Sequence, residues 1–390
     1  MLEFFFKKML SLWRGYDLFC MKKVNLRRAV RRGILRPLGT TVFQWFPGLA
    51  AAYRMREEKA DFRREAEKFF EQGDVKLPEG ASREGYFEAL DKYALSLSEY
   101  LYQYDFYKLN DQERDEFISR AQMRALAYKL RMKYPEESMG LPRFKEQYMG
   151  RFTELGFIHR RWLYVPECTY QQFIDLLSSV DCIIKPADGS LGIGVEKIDR
   201  QDDSEHTREL YEKCVRGKML LEECVKGCDE LQAFHPQSLN SIRFVTMAFR
   251  GRALPFGAIF RMGIGDMIID NVHAGGFCTQ IDMETGVVES NGLTVSGMLV
   301  TEHPDSGLTI KGTQIPHWDE ICEFCLSAAR QTKNIITGWD IVVTDKGQIE
   351  LIEVNNRPDF DGGMQAPLKR GVKRKVLEML KDLIGEEFTV

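Results

Sequence analysis

The chain has no apolar run approaching the ~18 residues that a membrane-spanning helix requires, so no bilayer-crossing segment is expected. It has no internal repeat and no low-complexity stretch, which excludes solenoids, collagen-like fibres and long disordered tracts. Its nine cysteines are odd in number and follow no regular framework. Reduced thiols in the cytoplasm are therefore expected, not disulfide staples. Cys322 and Cys325 form a Cys-x-x-Cys, but no second ligand pair follows at a finger-like distance, and Ile321, Phe324, Ala328 and Ala329 share helical spacing with them. Small buried thiols on an apolar helix face are the reading, not zinc, and Cys224 and Cys228 read the same way. The start also lacks the order of a signal peptide, because Lys7 and Lys8 follow Phe4, Phe5 and Phe6 and no small-residue cleavage site appears.

What is present is a chain of 390 residues, 44% hydrophobic, long enough to bury a sizeable core in more than one lobe. Its net charge of −4 hides an asymmetry: residues 1–40 hold ten Lys and Arg against Glu3 and Asp17, a local +8, so the remainder carries −12. Phe5, Met9, Leu12 and Trp13 fall on one helix face, which suits either an anionic membrane surface or packing on the helices that follow. Arg27, Arg28, Arg31, Arg32 and Arg36 come with no groove-reading motif, so no nucleic-acid partner is expected. Residues 1–140 read as helical, with Glu88 to Arg131 amphipathic and free of Gly and Pro. Pro135 and Gly140-Leu141-Pro142 mark a boundary. In residues 141–368, short β-rich runs (Met219–Leu221, Ile242–Phe249, Leu254–Phe260, Ile268–Asn271) alternate with helical stretches (Tyr170–Ser179, Trp318–Lys333), an α+β pattern. Residues 369–390 hold a basic amphipathic helix, Lys369 to Ile384, that packs back on the fold.

Two motifs carry chemistry. Ile341–Val343 and Ile349–Val354 flank Thr344-Asp345-Lys346-Gly347, the pattern of a β-hairpin. With a loop of two or four residues, Asp340 lies opposite Glu353, and Asn355 shares the face of Glu353. Two carboxylates and an amide oxygen suit a hard cation such as Mg²⁺. A three-residue loop slips the register by one and turns Asp340 away, leaving an idle exposed hairpin. Glu350, an odd number of residues from Glu353, is expected on the opposite face. Upstream, Asp181 to Pro186 reads as a strand carrying Lys185, followed by a glycine-rich loop and a second strand, Val195 to Ile198. Such a loop lets backbone N–H groups approach phosphate oxygens while a Lys supplies charge. No Gly-Lys-Ser/Thr follows and no helix opens there, which excludes a Walker A loop and a dinucleotide fingerprint.

The order of these motifs over Pro142 to Lys369 resembles the ATP-grasp enzymes, and within them the sugar-transfer-associated ATP-grasp family. The resemblance implies an ATP-grasp fold, two α+β lobes clamping ATP, behind a helical amino-terminal region. It implies ATP contacts from Lys145 and Lys185, from the loop residues Gly189, Ser190, Gly192 and Gly194, and from a hinge containing Glu222, Glu223 and Val225. Asp229 or Glu230 is implied at the ribose. In Asn240-Ser241-Ile242-Arg243, with Ser where Thr is usual, Arg243 would face the transferred phosphate. His273, in Asn271–Gly276, would be a base for an amine, a substrate hydrogen-bond partner, or a satisfied loop histidine. Asp340, Glu353 and Asn355 match the family's Mg²⁺ ligands. The implied activity is ATP-dependent carboxylate–amine ligation through an acyl phosphate, releasing ADP and phosphate. A kinase acting on a sugar or other hydroxyl is the alternative. The family's name makes a cell-envelope glycan or sugar-linked acceptor the expected substrate class.

Overall fold

The computed structural model describes residues 46–390 apart from Asp74, 139–143, 190–191, Arg357 and Asp359. The basic segment 1–40, and with it the expected membrane contact, lies outside the described residues. Helix α1 (Pro47–Gln72) starts with Pro in its first turn and stops at Gly73 in the left-handed conformation. Helix α2 (Arg83–Tyr93) is capped by the Ser82 side chain. The stretch Glu88 to Arg131 has no Gly or Pro, yet it is not one helix. Ala94 and Asp105 take left-handed φ values of 57° and 48° around a π-helical turn, Glu99–Gln103. Asn110 and Ser119 then open α3 (Asp111–Glu116) and α4 (Arg120–Lys133) with reciprocal capping boxes. Each box satisfies amide groups that a helix end would leave bare, which offsets the cost of breaking the helix there. Tyr86, Leu90, Tyr100, Tyr104, Phe106 and Phe117 form the core of this region.

Helix α5 (Lys145–Glu154) leads into an antiparallel sheet built from β1 (Trp162–Tyr164), β2 (Cys182–Pro186), β3 (Glu196–Ile198) and β4 (Met219–Glu223), in the order β1-β4-β2-β3. Helices α6 (Tyr170–Leu177) and α7 (Glu205–Gly217) cover one face of it, burying Phe173, Leu177, Leu210 and Cys214 against Cys182, Ile184 and Leu221. After the short helix α8 (Asp229–Gln232) come β5 (Ile242–Phe249), β6 (Arg252–Met262), β7 (Phe277–Ile281), β8 (Gly292–Thr294), β9 (Leu299–Val300), helix α9 (Trp318–Arg330), β10 (Ile336–Val343) and β11 (Ile349–Asn355). Their seven strands form a second antiparallel sheet, β11-β10-β5-β6-β7-β8-β9. Ile268–Asn271 is not a strand, contrary to its β-rich pattern; Asp270 there accepts the Ser241 amide.

Helix α9 buries Trp318, Ile321, Cys325, Ala328 and Ala329 against Phe244, Phe260, Trp339 and Ile341 on one face of the large sheet. The opposite face is apolar where α4 and helix α10 (Lys373–Ile384) cover Val245, Met247 and Phe256. Farther along the same strands it turns polar, with Arg243 and Arg261, and there it borders a cleft. A second π-helical turn, Asp361–Gln365, ties the regions together. The fully buried Gln365 amide accepts from the N–H groups of Ile118 (3.0 Å) and Val372 (3.1 Å) and donates to Tyr104 Oη (3.0 Å) and the Ile118 carbonyl (2.9 Å). Among the described residues no helix is long and apolar enough to cross a membrane.

Candidate active site

A cleft of ≈ 1230 Å³ lies between the two sheets and the segment that joins them. Strand alternation decides what the small sheet contributes: Cys182 and Ile184 enter the core, so Ile183 and Lys185 face the cleft. Glu222 pairs with Ile183 in register and shares that face, with its Oε1 2.6 Å from Lys185 Nζ. Burial lowers the Lys185 pKa, and Arg160 and Lys145 push the same way against Glu222. For Glu222, burial pushes the carboxyl up, but Arg160 and Lys185 together bring it below its usual range. Lys145, at the start of α5, donates its backbone N–H to the Ala187 carbonyl (3.2 Å) and places Nζ 3.4 Å from Glu353 Oε1. The two lysines implied at the phosphates therefore line one cleft, both more than nine-tenths buried.

The acidic hairpin reaches its register by a route the sequence did not suggest. Thr344 N–H donates to Gln348 O (2.8 Å) and Gly347, with φ 72°, closes back on Thr344 O (2.9 Å), so the loop proper is Asp345-Lys346-Gly347. That is the three-residue loop expected to slip the register. The slip occurs, since Val343, Val342 and Ile341 pair with Ile349, Glu350 and Leu351. A β-bulge at Ile352 then undoes it and places Asp340 opposite Glu353, Trp339 opposite Val354 and Gly338 opposite Asn355. Ile352 and Glu353, though adjacent, both line the cleft. Glu350 consequently sits on the cleft face, not the opposite one, and its buried carboxylate accepts from Arg160 Nη1 (2.8 Å) and the His159 N–H (3.0 Å).

The same register carries the row across the sheet: Asp340 pairs with Arg243, and Arg243 with Ile259. Arg243 binds both Asp340 oxygens, and Arg261 Nη2 lies 3.1 Å from Asp340 Oδ2. Arg261 also donates to Ser241 Oγ and lies 3.8 Å from Asp270. Burial pushes the Asp340 carboxyl up, but the two guanidiniums override it and leave it below the usual range. Asp340 and Glu353 thus offer hard oxygen donors from opposed positions, with Asn355 on the same face, a donor set that fits Mg²⁺ alongside phosphate oxygens. Here arginines and Lys145 neutralise the carboxylates. Among the described residues no group of three or more His, Cys, Asp or Glu side chains forms a separate metal cluster.

In the glycine loop, Gly192 and Gly194 have φ of 75° and 76°, and a Cβ on Gly192 would stand 2.4 Å from Ile269 Cδ1. Gly189 packs on Pro186, and Ser190 lies outside the described residues. The segment between the sheets begins where Cys224 N–H donates to Asp181 O (2.9 Å) and is pinned to the hairpin by Asp345 N–H on Lys226 O (3.0 Å) and Cys228 N–H on Val343 O (2.8 Å). Glu223 and Val225 line the cleft there, while Glu223 also pairs with Arg161 (3.0 Å). Glu222 also lines the cleft, with Arg160 against one of its oxygens and Lys185 against the other. Asp229 and Glu230 are exposed at the start of α8, next to the cleft end that Gln232 and Gln237 line. The His273 side chain lies outside the described residues. Sequence reasoning missed Arg160 and Arg261. The only signal for Arg261 was a charge inside the apolar run Ala258–Met262, beyond the expected strand end at Phe260.

A sequence model of the Sugar-transfer associated ATP-grasp family matches residues 164–379, more than half of the chain. No curated protein sequence matches it. Solved structures are similar in fold at low identity. The ATP-grasp ligase PsnB with a minimal precursor, Mg and ADP is 14% identical, with 73% of this chain and 76% of that chain covered and a TM-score of 0.41. The PsnB complex with precursor peptide PsnA2 and AMPPNP is 15% identical with a TM-score of 0.37, and the match spans 62% of either chain's length. D-alanine–D-alanine ligase from Bacillus anthracis is 17% identical, over 67% of this chain and 68% of that one, with a TM-score of 0.35.

Proposed function

Because the chain belongs to the sugar-transfer-associated ATP-grasp family, we propose that it is an ATP-dependent carboxylate–amine ligase that works through an acyl phosphate and releases ADP and phosphate. The observation that supports this most is the convergence of Lys145, Lys185, Arg243 and Arg261 with Asp340 and Glu353 in one cleft. Phosphoryl transfer needs positioning and charge neutralisation more than a covalent nucleophile. Cys224 at the cleft is a poor nucleophile, since burial pushes its thiol up to about 11.

In this reading Lys145, Lys185 and the Gly189–Gly194 loop bind the phosphates, and Glu223 and Val225 edge the adenine. Asp340, Glu353 and Asn355 would hold Mg²⁺, which supplies neutralising charge at the phosphate oxygens. As phosphates draw Lys145 and the arginines toward themselves, the two carboxylates are released for that cation. The substrate carboxylate oxygen attacks the γ-phosphorus and the bond to the bridging oxygen breaks, giving ADP and an acyl phosphate. Arg243 and Arg261 steady the charge on the transferred group. An amine then attacks the acyl carbon, loses a proton, with His273 proposed as the base, and expels phosphate. The acceptor class proposed is a cell-envelope glycan or another sugar-linked carboxylate or amine, modified in the cytoplasm.

The test is incubation with ATP, Mg²⁺, carboxyl-¹⁸O candidate acids and hydroxylamine. A hydroxamate, ADP and phosphate carrying one ¹⁸O are expected, because the attacking oxygen leaves with the phosphate. A stable phosphate ester formed without phosphate release would make the protein a kinase. AMP and pyrophosphate as products would exclude both chemistries.

A further inference from the structure

Arg160 lies four residues ahead of the segment matched by the family and makes contacts that the proposed chemistry has not yet used. Its side chain is 4% exposed, and it makes four hydrogen bonds besides its ion pair with Glu222. Nε donates to Glu222 Oε2 (2.8 Å), and Nη2 reaches the same oxygen (2.8 Å) and the Ile352 carbonyl (3.2 Å). Nη1 donates to Glu350 Oε1 (2.8 Å) and to the Leu351 carbonyl (2.6 Å). In a regular strand, carbonyls of consecutive residues point to opposite edges, so one guanidinium cannot collect both. It collects them here because the extra residue of the bulge turns the chain at Ile352. The bulge is also what sets Glu353 opposite Asp340. Through Glu222, the same guanidinium fixes the carboxylate that holds Lys185.

We propose that Arg160 is the positioning residue that clamps the Ile352 bulge and, through Glu222, Lys185, so that one side chain sets the spacing between the Mg²⁺-binding carboxylates and the phosphate lysine. This rests on the functional reading above. A lysine keeps the charge but has three donors and no planar fork, so it cannot hold two carboxylates and two carbonyls together.

The experiment measures ATP affinity by calorimetry across a Mg²⁺ titration, with melting temperature as a separate readout, for wild type, R160K and E350Q. R160K is expected to raise the half-saturating Mg²⁺ concentration at least tenfold while ATP affinity in EDTA changes less. E350Q, which weakens one contact of the clamp, is expected to shift it in the same direction by a smaller factor, and it carries the test if R160K does not fold. A general loss of stability would lower the melting temperature without moving the Mg²⁺ requirement. A folded R160K or E350Q with a wild-type Mg²⁺ requirement overturns the proposal alone. Wild-type ATP affinity indifferent to Mg²⁺ overturns the functional reading, and the proposal with it.

Discussion

Two buried cations, Lys185 and Arg160, share one carboxylate, that of Glu222. Lys185 faces the cleft by alternation along β2, whereas Asp340 comes opposite Glu353 only through the bulge at Ile352. Arg160, by contrast, gains meaning only through Glu222 and Glu350, 62 and 190 residues away. Lys185 pairs tightly with Glu222 in a dry setting, so Lys185→Ala is expected to remove most of the ATP-dependent rise in melting temperature. For wild type, that rise corresponds to roughly 2.7 kcal/mol at 100 times the dissociation constant. Because burial and its cationic neighbours lower the Lys185 pKa, its charge disappears as pH rises before exposed lysines titrate near ~10.4. ATP affinity should fall over that alkaline range and stay flatter in Lys185→Arg; a wild-type affinity constant up to pH 10 would contradict this. Glu353→Gln is nearly isosteric and should abolish Mg²⁺-dependent turnover with little change in melting temperature. Glu350→Gln, on sequence grounds a mild change, should lower the melting temperature, since buried Arg160 then loses half of its charge compensation, a loss of roughly 1–3 kcal/mol.

At the scale of elements, the sequence announced types better than breaks. Strands β4, β5 and β6 and helices α6 and α9 lie where their apolar patterns put them, whereas Ile268–Asn271 at the cleft is not a strand. Within the helical region, Asn110 and Ser119 divide the Gly- and Pro-free stretch Glu88 to Arg131 by making cap bonds that compete with helix continuation. The hairpin shows the opposite case: turn chemistry gave the loop, while nothing local announced the bulge, whose carbonyls are satisfied from another strand's flank. The glycine loop permits a test at this scale. Gly192→Ala puts a Cβ at left-handed φ and against Ile269, a strain of about 1–2 kcal/mol. It is expected to weaken ATP binding several-fold. Adding Ile269→Ala should recover part of that loss if the close contact, and not φ alone, is responsible; no recovery would assign the whole effect to φ.

For the whole molecule, the helical region and the catalytic sheets share a joint at Gln365. Its amide serves both Ile118, between α3 and α4, and Val372, before α10. Gln365→Leu keeps the approximate volume but strands these backbone groups in a dry interior, at roughly 1–3 kcal/mol for each one left unpaired. A single cooperative melt at clearly lower temperature is the expected result. Two separated transitions would show that the helical region folds apart from the sheets. Sequence composition marked the passage from helical to mixed structure but could not reveal this joint, whose partners lie 247 residues apart.

The buried thiols give the molecule an internal clock. Burial pushes the Cys182 thiol up to about 12 and that of Cys214 to about 11, and it raises the fully buried Cys325 as well. At neutral pH no more than about one in ten thousand of these sulfurs is the nucleophilic thiolate. Alkylation of the native protein must therefore wait for a local excursion that returns a cysteine to water, and its rate reports how often that excursion occurs. Cys182 and Cys214 time the small sheet, whereas Cys325 times the helix beneath the large one. If ATP and Mg²⁺ fasten the two sheets across the cleft, mass spectrometry should find the first two slowed more than the third. Equal slowing of all three would mean that the nucleotide steadies the whole fold and not the small sheet alone.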